Sequence, residues 1–572
     1  MIKNYVLIAL RNIRQSPMYA FINIFSLAIG LSACIIIYLF ITDERSFDSF
    51  HAKKADIYRL DEIQNFTGTN VQNVALSMPG MGPNLLKDFP EIENYTRFMC
   101  RPKQLVARDD KQFLLPNVAI VDSTFLDVFD FEVLVGDRSS ALDEPNTMMV
   151  TQETALRYFT STDEAMGNSL KYRDKEYKIT GILKDIPENS HMQFDALASM
   201  TTITSENKEF NNRWGSNFLN TYLVLNKNTD IKALEAKFPA FLRSHMDDPD
   251  INKYYVLFLQ HLDAVHLAST DIEHDYNNYR KFNGKYLEVF SIVGIFILII
   301  ASLNFMNLTT ARASHRWKEI GVRKTVGAKK LQLFIQFIFE STILAFFALI
   351  LAAFISLIGT PLINSVIDRQ LTLLPLITQP LNILYLLAVT SGLGLVTGIY
   401  PSFYMTSFTM SRVLKGGQTG SGGKSVFKSS LVIVQFGLAL AMIVSTLIVV
   451  QQLSYMKNKD LGFNKDQMML IDMNGEANEK FEMLRTELKR SPLVLGVTAS
   501  GQRLGENFHQ SGFKVKGDTG VFDITHPMST STTNTLKSTG SRCWREGNFP
   551  GMSLPTKTWP SLSMNPSRKS WL

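Results

Sequence analysis

The chain has 572 residues, of which 45% are hydrophobic, 11% aromatic and 19% charged, and its formal net charge is +6. Soluble globular chains contain about 25% charged residues, so a small water-soluble domain, a disordered chain and a collagen-like repeat are poor explanations. Five stretches lack Asp, Glu, Lys and Arg, and each exceeds the ~20 residues that carry a helix across ~30 Å of hydrocarbon. They lie between residues 14 and 43, 288 and 312, 340 and 368, 369 and 412, and 428 and 457. We therefore predict an α-helical membrane protein with about five transmembrane helices.

The distribution of charge predicts an orientation. Residues 1–17 carry +3, residues 312–330 carry +6 and residues 412–428 carry +4, whereas residues 43–288 hold 27 basic against 38 acidic side chains, a net of −11. Because cytoplasmic loops are enriched in Lys and Arg, we expect the N-terminus inside and the segment after the first span outside. All five spans agree with this orientation, which makes nucleic-acid binding a weak explanation of the basic clusters.

In chain order, the predicted elements alternate between membrane spans and segments on either side. The first places apolar side chains on one helical face, which is typical of a helix lying along the inner leaflet. The elements are an amphipathic inner-leaflet helix (1–17), span 1 (18–42), an extracytoplasmic domain (43–284), span 2 (285–311), a cytoplasmic loop (312–330), span 3 (331–363), span 4 (383–405), a cytoplasmic linker (406–428), span 5 (429–456), the start of a second extracytoplasmic domain (457–527) and an atypical tail (528–572).

The segment 43–284, called the outer domain below, is long enough to bury its own core. Its β-branched and aromatic runs predict strands at 113–122, 177–185, 221–225 and 254–262, and its helix-period runs predict helices at 151–159 and 230–246. Asp230 is the expected N-cap of the second helix. The mixture predicts an α+β domain.

A histidine-rich stretch near the end of the outer domain is a candidate metal cluster. The residues concerned are His261, His266 and His274 beside Asp263, Asp271, Glu273 and Asp275. No spacing among them matches a known ligand motif, so we favour a solvated polar surface and expect no metal site.

Small and polar residues within the spans predict close helix packing. Gly30 lies four residues after Ser26 in span 1, and Gly394 and Gly398 form the same spacing in span 4. Asn304 and Asn307 lie near the end of span 2, where polar side chains usually hydrogen-bond other helices. We favour packing contacts over a substrate pathway, and no ring of charge or carbonyls indicates a channel.

The basic loop reads RASHRWKEIGVRKTVGAKKL, which fits either a short helix against an acidic groove of a cytoplasmic partner or a simple retention signal. The order of residues favours the first. The run EIGVRK with Gly327, Ala328, Gln336, Phe337 and Glu340 resembles the signature of the FtsX-like permeases, the membrane subunits of MacB-type ABC transporters. Three further stretches are similar to that family: 4–60, including DERSFDSFH; 180–195, TGILKDIPENSHMQFD; and 401–416, PSFYMTSFTMSRVLKG.

The resemblance covers about residues 1–527 and implies a permease subunit in a bacterial cytoplasmic membrane, with a permease domain at about 285–411 and an outer domain of MacB periplasmic core type. It implies that a separate cytoplasmic ABC ATPase holds ATP and Mg²⁺, that this chain binds no cofactor and catalyses no reaction, and that motion is passed to the outer domain by mechanotransmission. A periplasmic or outer-membrane partner is a further expectation. The implied ATPase-coupling residues are Glu319, Gly321, Arg323, Lys324 and Gly327, with a second cytoplasmic contact at Arg412 and Lys415.

The linker GQTGSGGKS at 417–425 looks like a phosphate-binding loop but fails its spacing. The motif needs Gly, four residues and then Gly-Lys-Ser/Thr, and position 418 is Gln. The loop also lacks the preceding strand that a phosphate cradle needs. We therefore predict a flexible linker.

After this linker the chain repeats its own beginning, with a basic approach, a span and an outer segment. From 528 to 572 it contains nine Ser, seven Thr and three of the five Trp, with Glu546 as the only acid. A natural polar tail and a shifted reading frame both remain open, and we favour the shifted frame because isolated tryptophans there fit neither a strand nor a helix period.

Three functional hypotheses follow. The first is an ABC permease that exports or extracts a hydrophobic or peptide-like substrate; the second is a non-transporting signal transmitter that controls an extracytoplasmic enzyme or sensor; the third is a non-functional truncated permease. The substrate, the oligomeric state and the identity of the ATPase cannot be read from the sequence.

Overall fold

A computed structural model describes residues 2–66, 69–406, 422–460, 467–473, 475–501, 509–517 and 520–528. It divides the chain into two units. The first comprises Met1–Asp61, Ala75–Phe241 and Leu257–Asn458, and the second comprises Glu62–Val74, Leu242–Val256 and Lys459–Leu572. The linker 407–421 and the tail from 529 onward lie outside the described residues, as do Arg412 and Lys415.

Among the described residues, five helices are long and apolar enough to cross a membrane. Spans 1 to 5 are Pro17–Arg45, Lys285–Ala311, Lys330–Ile367, Pro380–Thr406 and Gly422–Asn458. An amphipathic helix, Ile2–Gln15, precedes span 1, and a short helix, Leu374–Thr378, lies between spans 3 and 4. Span 3 extends beyond the predicted residue 363 to Ile367, where Asp368 adopts a left-handed conformation (φ 51°) that ends the helix.

The outer domain contains twelve strands among its described residues. They are β1 (Ile57–Gln64), β2 (Gln72–Val74), β3 (Ile92–Arg108), β4 (Lys111–Val121), β5 (Val133–Gly136), β6 (Thr147–Thr151), β7 (Ser169–Tyr172), β8 (Lys175–Leu183), β9 (Ala196–Ser199), β10 (Asn220–Leu225), β11 (Tyr255–His261) and β12 (Ile272–Glu273). The helices are Met81–Asp88, Phe125–Val128, Gln152–Tyr158, Thr162–Ala165, Thr201–Glu206, Ile231–Glu235, Phe238–His245, Ile251–Tyr254 and Leu262–Val265, with a 3₁₀ helix at Lys208–Asn212.

A mixed sheet forms the centre of this domain, in the order β1-β10-β3-β4-β9-β6-β8-β5. Most neighbours are antiparallel, whereas β4 with β9 and β6 with β8 are parallel. In β4, alternate side chains belong to two different hydrophobic cores. Val118 and Ile120 lie in one core, and Ala119 and Val121 lie in the other. Both sheet faces are therefore covered, which explains why the central strands are apolar on both sides.

The predicted α+β class and the four predicted strands are confirmed, with boundaries shifted by one to two residues. The helix expected over 230–246 is wrong as a single element. It divides into Ile231–Glu235 and Phe238–His245, because Pro239 has no N–H and its ring would clash with the carbonyl four residues earlier. Asp230 is the N-cap as predicted, and its side chain accepts from the Ala233 N–H.

The second unit contains the end of β1, all of β2, the start of β11 with the helical residues before it, and the segment after span 5. Residues 62–64 of β1 pair antiparallel with β2, from Glu62 opposite Val74 to Gln64 opposite Gln72. The later segment has short helices at Gly475–Glu479 and Phe481–Leu488 and an antiparallel hairpin of His509–Gly517 with Gly520–Met528. The predicted second extracytoplasmic domain stays a prediction.

Candidate functional site

The predicted cytoplasmic loop contains a helix, Ala313–Thr325, called the inner helix below. Its C-terminus is a Schellman motif, in which the Gly327 N–H bonds the Lys324 carbonyl (3.1 Å) and the Ala328 N–H bonds the Arg323 carbonyl (3.0 Å). Gly327 has φ +97°, a left-handed conformation that glycine adopts without strain. Ala328 also packs against the apolar cluster formed by Ile320, Leu333, Phe337 and Met405, so the turn is held by apolar packing as well as by hydrogen bonds.

An ionic contact joins the inner helix to span 3. Arg316 binds both carboxylate oxygens of Glu340, at 2.9 and 3.0 Å through Nη1, and Asn12 of the first helix donates to the same carboxylate at 3.2 Å. The Arg316 guanidinium also lies over the Phe337 ring, 4.9 Å from its centroid. Burial opposes the charge on Arg316, but the nearby Glu340 and Glu319 outweigh it and raise the pKa of the guanidinium. The helix is therefore fixed to the membrane-spanning part.

The predicted coupling residues Glu319, Arg323 and Lys324 form contacts within the chain. Arg323 binds Glu319 at 2.8 Å and the Gln336 side chain of span 3 at 2.9 Å. Lys324 donates to the Thr406 carbonyl at the end of span 4 at 2.9 Å. Gly321, in contrast, has no atom within 4 Å of where a Cβ would lie. Arg323 and Lys324 therefore join the inner helix to spans 3 and 4, and their role in binding an ATPase stays a prediction.

Apolar side chains are exposed on and beside the inner helix. Val322 on the helix is 64% exposed, Val326 directly after the helix is 84% exposed, and Leu331 at the start of span 3 is 66% exposed. Exposed apolar patches rimmed by polar residues mark protein or membrane interaction sites, so these three residues are a candidate contact surface. We call Val322, Val326 and Leu331 the inner patch.

Gly327→Val is expected to destabilise the inner helix by about 1–2 kcal/mol, because a β-branched side chain is strained at positive φ. Gly321→Ala is the matched control, and it should stabilise the same helix by about 1 kcal/mol because its site is open and helical. Amide hydrogen exchange of residues 313–325 measures both effects. Equal protection in the two variants would contradict the role of Gly327.

The predicted packing glycines lie where helices approach closely. A Cβ on Gly30 would lie 2.8 Å from the Ala301 Cβ, between spans 1 and 2. A Cβ on Gly394 would lie 2.6 Å from the Thr342 Cα, and one on Gly398 would lie 3.0 Å from the Ser341 Cβ, both between spans 3 and 4. In the described part of the chain, these positions admit no larger side chain without movement of the helices.

The predicted asparagines hydrogen-bond neighbouring spans. Asn304 donates to the Ser26 Oγ of span 1 at 2.6 Å, and Asn307 donates to the Gln435 Oε1 of span 5 at 3.0 Å. The sequence reasoning missed a further contact, Ser32 Oγ with Ser356 Oγ at 2.9 Å, which joins spans 1 and 3. The only sequence signal for this contact was that Ser32 lies four residues after another small residue of span 1.

Two of the family-like stretches meet where span 1 enters the outer domain. The Asp48 N–H bonds the Asn189 carbonyl at 2.8 Å, and the Asp48 carboxylate accepts from the His191 N–H at 3.1 Å. Burial would raise the pKa of Asp48, but the charge and hydrogen bonds of His191 outweigh it and lower the pKa. His51 lies beside Asp48, and burial lowers its pKa to about 4. The segment directly after span 1 is thus bonded to the 189–191 segment of the outer domain.

The histidines considered as metal ligands point to different partners. His266 Nε2 bonds Glu44 at 2.7 Å, His261 Nε2 lies 3.1 Å from the Ala55 carbonyl, and His274 Nδ1 bonds the Tyr276 hydroxyl at 2.5 Å. Within the described ranges, no group of three His, Cys, Asp or Glu residues is arranged to hold a metal ion.

Comparison with known proteins identifies both parts of the chain. The MacB-like periplasmic core domain matches residues 20–241, and the FtsX-like permease C-terminal domain matches residues 291–410, which include the inner helix. The macrolide export ATP-binding/permease protein MacB of Neisseria meningitidis is 18% identical over 287 residues, which are 49% of this chain and 40% of that protein. The Campylobacter jejuni protein of the same name is 26% identical over 110 residues, which are 19% of this chain and 16% of that protein.

Two solved structures are similar to about a third of the chain. The periplasmic region of MacB from Actinobacillus actinomycetemcomitans has 12% identity and a TM-score of 0.27, covering 37% of this chain and 90% of its own. The extracellular domain of the ABC-type transporter YknZ has 11% identity and a TM-score of 0.26, and the match covers 35% of this chain and 99% of that structure.

The two domain matches define the class of the protein as an ABC transporter permease. The chain belongs to the FtsX/MacB-type permease family, with several apolar helices and a periplasmic core domain. It spans about 40% of the length of the Neisseria relative, whose name includes an ATP-binding function.

Proposed function

We propose that this chain is the permease subunit of an ABC transporter and that a separate cytoplasmic ABC ATPase docks on the inner patch. The observation that carries the proposal is the inner helix, which is bonded to span 3 through Arg316 and Glu340 and exposes Val322 and Val326. Surface apolar groups that fit a partner's groove supply binding energy in proportion to the area they bury. The anchored cations make the helix rigid enough to transmit a force.

In this proposal the N-terminus and the inner helix are in the cytoplasm of a bacterium, and the outer domain is on the other side of its inner membrane. The cationic loop and the acidic outer domain support that orientation. ATP and Mg²⁺ belong to the ATPase, and this chain binds no cofactor. Closure of the ATPase moves the inner helix, and the Asp48–His191 contact carries the motion of span 1 into the outer domain by mechanotransmission.

The proposed cargo is a hydrophobic or peptide-like substrate that is exported or extracted from the membrane. The relatives' names, which specify macrolide export, support this class. A periplasmic or outer-membrane partner would receive the cargo. ATP-dependent efflux from vesicles tests transport directly; a change in a partner's activity without any efflux would instead favour the signalling hypothesis.

Val322→Asp with Val326→Asp is expected to weaken binding of a co-expressed ABC ATPase subunit at least about tenfold, because two charges replace the apolar contact. Co-purification and ATPase rate measure the effect. Leu156→Asp is the matched control, since Leu156 is an exposed apolar residue of the outer domain. Unchanged binding in the double variant would remove the inner patch from the mechanism.

A further inference from the structure

Span 3 is one helix of 38 residues with polar contacts near its start and directly after its end. At 1.5 Å per residue it is about 57 Å long. Near its start, Gln336 and Glu340 hold the inner helix through Arg323 and Arg316. Just after its end, Asp368 and Arg369 contact the outer domain and the end of span 1. The same helix therefore touches both functional regions.

A buried carboxylate organises the contact at the outer end. Glu44, at the end of span 1, is fully buried; one of its oxygens accepts from Arg369 and the other lies 2.7 Å from His266 Nε2 in the outer domain. Phe47 stacks on His266 with ring centroids 3.5 Å apart, and the Arg369 guanidinium lies 5.7 Å from the same Phe47 ring. Glu44 thus joins span 1, the outer domain and the segment after span 3.

A second, more exposed set of contacts lies beside it. Arg280 of the outer domain binds Glu188 at 3.1 Å and Asp368 at 3.2 Å. Gln370 donates to the other oxygen of Glu188 at 2.7 Å. These pairs keep the segment after span 3 against the outer domain, but their exposure makes each of them weaker than the buried Glu44 contact.

We propose that Arg369, with Glu44 and His266, is a latch that couples span 3 to the outer domain. Arg369 is a positioning residue in it: it neutralises a carboxylate that is costly to leave buried and unpaired, so the contact moves as a unit. Motion of the inner helix then reaches the outer domain along span 3 as well as along span 1. This inference deepens the proposed function and rests on it.

The test is a double-variant comparison on the full chain in lipid nanodiscs without any ATPase. Arg316→Gln loosens the inner contact, and hydrogen exchange is followed in the outer-domain segment 262–284. We expect Arg316→Gln to raise exchange there about threefold when Arg369 is present, within the range of measured long-distance couplings. In the Arg369→Gln background, the rise caused by Arg316→Gln should be clearly smaller, because only the route along span 1 remains. Arg369→Lys, which keeps the charge without the planar fork, should give an intermediate response.

Arg157→Gln is the matched background control, because Arg157 pairs with Glu153 on the surface of the outer domain. It should leave the threefold response intact. The latch is overturned if Arg316→Gln has no effect on residues 262–284, or if its effect in the Arg369→Gln or the Arg369→Lys background equals that in the wild type. An ATPase that fails to bind the inner patch would overturn the proposed function while leaving this result as measured, so the two failures are distinguishable.

Discussion

Gly394→Leu is expected to lower the free energy of unfolding of the membrane-spanning part by about 3 kcal/mol, at the upper end of the usual cost of overpacking. A Cβ at Gly394 would lie 2.6 Å from the Thr342 Cα, and a backbone atom cannot rotate away. Spans 3 and 4 would have to separate along their contact. Unfolding in mixed micelles with increasing SDS, followed by circular dichroism, measures the loss.

Gly392→Leu is the matched control on the same helix. A Cβ on Gly392 would have no atom within 4 Å, so the larger side chain meets open space there. Because leucine is a better helix former than glycine, this variant should be equal to the wild type or up to about 0.8 kcal/mol more stable. A similar loss in both variants would show that helix propensity, and not close packing, governs these positions.

Arg59→Met is expected to destabilise the outer domain by about 3–5 kcal/mol, the usual cost of removing one partner from a buried ionic group. Arg59 is buried in β1 and binds Asp61 at 2.7 Å, Asp275 at 2.8 Å and Gln260 at 2.8 Å. Methionine fills similar volume but leaves two buried carboxylates facing each other. Hydrogen exchange of β10, which pairs with β1, reports the free energy of opening.

The loss of outer-domain stability caused by Arg59→Met should become smaller as the pH falls from 7 towards about 5. Burial raises the pKa of Asp61 to about 6 although Arg59 opposes the shift, and loss of Arg59 removes that opposition. A carboxyl whose folded pKa lies above its unfolded value binds more protons when folded, so stability rises as the pH falls. Arg157→Met, at an exposed pair, is the control and should cost under about 0.5 kcal/mol at either pH. A pH-independent deficit would contradict the assignment.

The spans and the class of the outer domain followed from local pattern. Stretches without charge marked all five long helices, and β-branched runs marked β4, β8, β10 and β11, because burial in lipid or between sheet faces selects apolar residues position by position. The prediction of one helix over 230–246 was wrong because it gave more weight to apolar periodicity than to Pro239, which interrupts a helix.

The candidate site was predictable only in part. The sequence located the inner helix and its glycines and predicted Arg323 and Lys324 as coupling residues. It did not indicate that these two side chains also bind Gln336 and the Thr406 carbonyl. The exposed Val322 and Val326 were missed because two valines in a basic loop carry no special signal. Only the position of spans 3 and 4 decides which side of the helix is covered.

The sequence by itself determined that this is a membrane permease of the FtsX/MacB type, because hydropathy, charge and motif are properties of neighbouring residues. Tertiary structure decided which glycine is a contact, since Gly392 and Gly394 are alike in sequence and only Gly394 lies against Thr342. It also brought Glu44 to Arg369, 325 positions away, and to His266. The physical reason is that a buried charge needs a partner in space, and the chain order does not specify which distant residue supplies it.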